Sequence, residues 1–150
     1  MADRFSDRPL PPYRHVPGRT PHPTRDPDGH SYGQEEPELP SLNDHRWQDC
    51  SHYLYGIDLF NEGYWWECHE VLEPIWMQTP NGSAERDMVQ AVIQLANARL
   101  KLRMALPRAA RRLCDMVTAH LARCPQDRPI LGLHAREVAA WVRETQGKTV

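Results

Sequence analysis

From residue 44 onward, apolar positions recur at helical intervals. Trp47, Cys50, Leu54 and Ile57 follow one another at steps of three, four and three, which places them on one stripe of an α-helix over about residues 44–61. Asn61-Glu62-Gly63 supplies a stop, with Gly63 suited to the left-handed conformation. Trp65, Cys68, Leu72 and Ile75 repeat the same spacing and predict a second helix over about 64–78. Pro74 lies inside it and predicts a kink or a loosened last turn, because its ring crowds the carbonyl of Glu70. Thr79-Pro80-Asn81-Gly82-Ser83 breaks the pattern, and Ser83 is a suitable N-cap. Met88, Val89, Val92, Ile93, Leu95, Ala96 and Leu100 give a third helix, about 84–105, a broad apolar face. Pro107 fits the first turn of a fourth helix, about 107–123. Cys124-Pro125 to Pro129 ends it. Val138, Ala139, Trp141 and Val142 mark a fifth helix, about 133–146, which Gly147 closes. No segment alternates with period two, so no sheet is expected. Short connections predict antiparallel neighbours in an all-α bundle.

The first 43 residues read differently. Nine of the fourteen prolines, Pro9 to Pro40, fall there, and aliphatic residues are scarce. Prolines at that density forbid a continuous helix or central strand. Without apolar surface to bury, the ordering entropy is not offset, and a disordered tail is expected. Proline-rich stretches also serve as ligands for partner domains. The expected division is thus a tail over 1–43 and a helical domain over 44–150.

Composition excludes several classes. The chain has 150 residues, enough for one modest core once the tail is set aside. No apolar run approaches the ~20 residues of a membrane span. The N-terminus lacks a secretory h-region, and its mixed charges argue against an organelle transit peptide, which predicts the cytoplasm. The four cysteines, Cys50, Cys68, Cys114 and Cys124, have no CxxC spacing; three of them fall on apolar helical positions and read as small core residues. The formal net charge of −2 gives no global attraction to nucleic acid. One basic segment stands out: Arg99, Lys101, Arg103, Arg108, Arg111 and Arg112 have no acid among them. It is either an anion-binding patch or the complement of acidic helices within the domain or across a dimer. Base-stacking aromatics are missing there, which favours the complement.

Candidate chemistry is concentrated in residues 60–76, where three of five tryptophans, four glutamates and a histidine lie together. His69 and Glu73 are one helical turn apart in His-Glu-x-x-Glu. On a helical wheel His69 borders the apolar stripe, while Glu67 and Glu70 point to the far side. Three roles are open to the pair. It can be structural, with Glu73 orienting a half-buried imidazole. It can bind a divalent metal, as imidazole and carboxylate at i and i+4 do in zinc peptidases, with His120, Asp115 or His134 as more distant ligands. It can carry acid/base chemistry without a metal, with Glu73 raised in pKa by the tryptophans and His69 exchanging protons near neutral pH. On the third helix Gln90, Gln94, Asn97 and Lys101 form a narrow polar stripe, read as a solvated face unless it meets the second helix.

The run Phe60-Asn61-x-Gly63-Tyr64-Trp65-x-x-x-His69-Glu70-x-Leu72-Glu73-Pro74-x-Trp76, with Gln90-Ala91-Val92-Ile93-Gln94-Leu95-Ala96 downstream, resembles an uncharacterised family of bacteria, archaea and plants, domain of unknown function family 309. The resemblance covers about residues 50–121. Ala91 replaces a glycine frequent in that family, and Trp66-Glu67-Cys68 precedes the histidine where small or acidic residues are common. The resemblance implies a compact helical bundle and no established activity, substrate or cofactor. It implies that Asn61, His69, Glu70, Glu73, Gln90 and Gln94 share one ligand-binding site. The leading reading is a ligand-binding or structural polar cluster, and its main competitor is a metal-dependent hydrolase-like enzyme with His69 and Glu73 as ligands and Glu70 as acid/base. Self-association through tryptophan or leucine surface is a further expectation.

Overall fold

In the computed structural model, which describes residues 4–35, 42 and 44–149, the five periodic segments are five α-helices. They are α1 (Ser51–Asn61), α2 (Trp65–Gln78), α3 (Ala84–Arg103), α4 (Pro107–Ala122) and α5 (Ala135–Gly147). A short 3-10 turn, Trp47–Asp49, precedes α1. Cys50 separates the two with extended backbone, so the first helix starts later than its apolar spacing predicts. Trp47 still reaches the core, edge-on to Tyr53 and over Gly132. Among the described residues no strand forms. Ile130 and Leu133 alone exchange a pair of β-type hydrogen bonds across a tight turn.

The helix ends follow from local chemistry. Gly63 takes φ +82°, and the amide of Tyr64 returns to the carbonyl of Leu59, turning the chain tightly from α1 into α2. The Ser83 side chain accepts the Arg86 amide and caps α3. Pro107 occupies the first turn of α4, where its missing N–H costs nothing. Pro74 does not end α2, which continues to Gln78.

The centre of the bundle is α3, which packs on α2, α4 and α5. Nine of its side chains are buried, from Met88 to Leu100, as expected of a helix covered on most sides. All four cysteines are buried free thiols, in line with a packing role. Between α1 and α2 the approach is close. A Cβ on Gly56 would lie 2.3 Å from Leu72 Cδ2, and Leu72 is fully buried. Only glycine lets these helices meet at this point.

Residues 4–35 contain neither helix nor strand, as their prolines require. They nonetheless run along α1 and α2, held by polar anchors rather than by an apolar stripe. Asp58, on α1 and 1% exposed, accepts hydrogen bonds from the amides of Phe5 and Ser6 and from the Ser6 hydroxyl. Arg4 adds its charge at 3.5 Å. The hydroxyls of Tyr55 and Tyr64 donate to the carbonyls of Pro9 and Pro11. Arg14 stacks on Tyr64 and donates to the carbonyl of Glu62. His15 and His22 meet the ring of Trp66 edge-on. The result is a strap over one side of α1 and α2.

Half of the basic segment is committed inside the fold. Arg99 donates to Thr145 Oγ1 and to the Trp141 carbonyl and stacks near Phe60 and Trp65. Arg103 donates to the Gly63 carbonyl, and Arg111 to that of Thr149. No helix of the described residues is long and apolar enough to cross a membrane. The exposed large apolar side chains are Phe5, Tyr32, Met77, Leu106 and Met116, and the tryptophans are half-buried.

Two outcomes follow from this packing. Gly56→Ala should lower stability by about 1–2 kcal/mol, since overpacking a closed core outweighs the gain in helix propensity. Urea unfolding of Gly56→Ala, Leu72→Ala and the double variant should show the double variant losing less than the sum of the two. Asp58→Ala removes several charge-assisted bonds, each worth about 1.5–3 kcal/mol. Tryptic cleavage after Arg14 and Arg19 in the folded protein should then quicken by at least about tenfold. Unchanged cleavage would mean that Asp58 does not hold the strap.

Candidate functional site

The stripe that buries Cys68, Leu72 and Ile75 turns the flank of α2 carrying His69 and Glu73 toward α3. His69 is half-buried between the two helices. Its Nδ1 lies 3.0 Å from Asn97 Oδ1, and Asn97 Nδ2 in turn donates to Gln94 Oε1 at 3.1 Å. The polar stripe of α3 is therefore not simply a solvated face. Its middle residues meet α2 and reach the imidazole rather than the carboxylates. The acceptor at Asn97 makes Nδ1 the donor and leaves Nε2 facing Glu73 Oε2 at 2.7 Å. As imidazolium, Nε2–H donates to that carboxylate. As neutral imidazole, its lone pair faces an anion, an arrangement completed by a cation.

Glu70 joins this pair. Ligand atoms of His69, Glu70 and Glu73 lie within 4.8 Å of one another, with both carboxylates exposed. Three ionisable side chains thus converge at a water-accessible edge rather than under the tryptophans. Nearby Trp76 is occupied by Arg86, whose guanidinium stacks on the ring at 4.1 Å and donates to the Trp76 and Thr79 carbonyls.

The other candidates lie elsewhere. Asn61 is exposed at the end of α1 and borders an apolar cavity with Phe60 and Trp141. Gln90 borders a separate cleft with Trp76, Asp87, His120 and Arg123. His120 bonds to Asp87 at 2.9 Å, Asp115 is exposed on α4, and His134 occupies the N-cap position of α5. None of these three belongs to the group around His69. Burial pushes the thiol of Cys68 up, and that of Cys124 up to about 11, so neither is a thiolate near neutral pH.

Glu67 corrects the wheel reading most clearly. Placed there on the far side of α2, it is 4% exposed. The strap covers that side. Glu67 Oε2 accepts the His15 amide at 2.9 Å and lies 2.7 Å from His30 Nε2. A carboxylate already receiving one N–H requires a donor from the imidazole, so Nε2 carries hydrogen. Glu67 Oε1 is buried with no hydrogen-bond partner among the described residues. The donors are 52 and 37 residues away in the chain, beyond the reach of any helical period.

Fold and site together define a small five-helix protein with a histidine, glutamate and amide cluster between its second and third helices. Residues 53–113 match the model of a family described as a domain of unknown function, DUF309, the same family that the 60–76 signature resembles. The match runs from α1 into α4 and includes the cluster and Glu67, but neither the strap nor α5. No curated protein and no solved structure matches the chain significantly.

The cleft around Gln90 generates a pH dependence. Burial alone raises the pKa of Asp87, but hydrogen bonds from His120 and Arg123 and their charges outweigh it and hold the carboxyl below its usual range. A depressed folded pKa means stability that is present above the unfolded value and lost as pH falls through the folded one. Asp87→Asn should therefore lower the urea midpoint at pH 7. The gap to the parent should close as pH drops below about 3.9. A gap independent of pH would remove the charge from this account.

Proposed function

We propose that the chain is a helical binding protein whose α2 edge holds a divalent cation through His69, Glu70 and Glu73. The observation that carries this reading is the meeting of three ligand atoms at one exposed edge, with the imidazole already oriented. An Nδ1–H held by an amide oxygen presents Nε2 as a ligand, which is how second-shell groups prepare metal-binding histidines. Asn97 fills that role, and Gln94 steadies Asn97. One nitrogen and two carboxylates suit Zn²⁺, Mn²⁺ or Fe²⁺ better than a soft ion. Ligands at about 2.1 Å from the ion stand closer than the present spread, so the exposed carboxylates rotate inward on binding.

Three protein ligands leave coordination positions open, as catalytic and transport sites do and closed structural sites do not. Glu70 then serves as a ligand rather than as a separate acid/base. The tryptophans and α3 do not seal the edge, so a ligand to the metal reaches it from solvent. In the basic segment, Arg99, Arg103 and Arg111 are committed to carbonyl and hydroxyl groups of the fold, which weighs against the competing anion-binding reading.

The test is calorimetric titration of the full chain with Zn²⁺ and with Mn²⁺. One ion per chain is expected for at least one of them. His69→Ala should abolish that binding, and Asn97→Ala, which touches no metal, should weaken it by about 10–100-fold. Undiminished binding by His69→Ala would place the ion elsewhere. Absence of binding by the folded parent, with His69→Ala less stable, would make the cluster a packing element.

A further inference from the structure

A second site lies on the opposite flank of α2, where the strap crosses α1 and α2. A cavity of about 200 Å³ opens there, walled on one side by Tyr55, Trp66 and Val71 and on another by the strap. Its volume falls short of the ~300–1,000 Å³ of drug-sized sites and suits a smaller ligand. Glu67 and Glu70 both belong to its lining, with Glu35 at the rim. Against these three carboxylates stand the Arg8 guanidinium, stacked on the Tyr55 ring at 4.4 Å, and the His30 imidazole, bonded to Glu67 Oε2. His52, also in the lining, adds no positive charge near neutral pH, because burial and then the charge of Arg8 lower its pKa. The cavity is acidic with aromatic walls.

The telling detail is Glu67 Oε1. Its sister oxygen has two donors, while Oε1 has none among the described residues and is closed off from water. A buried carboxylate oxygen without a donor costs stability and is rare in folded proteins. The described residues supply no group to meet it, and the cavity that Glu67 lines is where such a group would come from once the strap yields. The roof is a segment fixed by scattered anchors rather than by a backbone ladder, so it yields more easily than a helix.

We infer that this cavity binds a small organic cation of the amidinium or protonated-amine class, with its N–H group donating to Glu67 and its apolar body against Tyr55 and Trp66. A planar amidinium suits it best, because one N–H donates to Oε1, Oε2 being already occupied, while the flat body lies against the aromatic walls. Glu70 lines the same cavity. This goes beyond the metal reading and does not depend on it.

The experiment is calorimetric titration of the full chain at pH 7 in EDTA, with benzamidine and with its neutral analogue benzamide. EDTA makes the outcome independent of any metal. Benzamidine should bind one per chain, at least tenfold more tightly than benzamide. Glu67→Gln keeps an oxygen for the His15 and His30 donors but places an amide N–H₂ where Oε1 stood. It should weaken benzamidine at least tenfold and narrow or reverse its advantage over benzamide. Equal affinity of the parent for the two probes would overturn the inference. So would no benzamidine binding up to about 10 mM, the weakest affinity expected of a ligand this size. Undiminished binding to Glu67→Gln would overturn it as well. The comparison of the two probes rests on the parent alone and stands whatever the variant's stability.

Discussion

Burying a charged carboxylate is tolerated only where donors surround it. This protein buries one on each of its first two helices, Asp58 on α1 and Glu67 on α2. In both cases the donors come from the same place, the proline-rich N-terminal segment. That single arrangement explains how a segment with little apolar surface lies against the bundle. It also explains why a face of α2 that looks solvent-facing in isolation is enclosed. Prolines help, because a chain with fewer conformations loses less entropy on being fixed.

With the strap in place, α2 becomes the most heavily used helix in the molecule. Its apolar stripe meets the core. One flank presents His69 and Glu73 to the amides of α3, and the other presents Glu67 to the strap. Glu70 sits at the exposed edge between them and contributes to both the cation cluster and the cavity. Two polar sites on one helix, joined by a shared carboxylate, make α2 the natural focus of function. The family match covers the whole of α2.

Helix periodicity made most of the fold legible. The five segments, the Gly63 turn, the Ser83 cap and Pro107 at a helix start all follow from spacing and local conformational preference. Half of the candidate site was legible for the same reason, since His69 and Glu73 are neighbours at i and i+4. What lay out of reach was anything settled by distant partners. Asn97 reads equally as solvated or as facing α2 until the helix crossing is known. Glu67 reads as exposed because its covering donors, His15 and His30, carry no hydrophobic signal. Asn61 and Gln90 occupy suggestive positions in the signature, and each lines a cavity of its own.

Buried carboxylates hold the strap, and one measurement reaches that directly. Amide hydrogen exchange, read residue by residue by NMR on the full chain near neutral pH, reports on His15, Phe5 and Ser6. Their N–H groups donate to Glu67 and Asp58. Exchange of these three amides should be slowed by well over about tenfold relative to an unstructured peptide, while neighbouring strap amides with no partner exchange quickly. Exchange of all three at unprotected rates would contradict the account, because both carboxylates would then lack the donors that their burial requires.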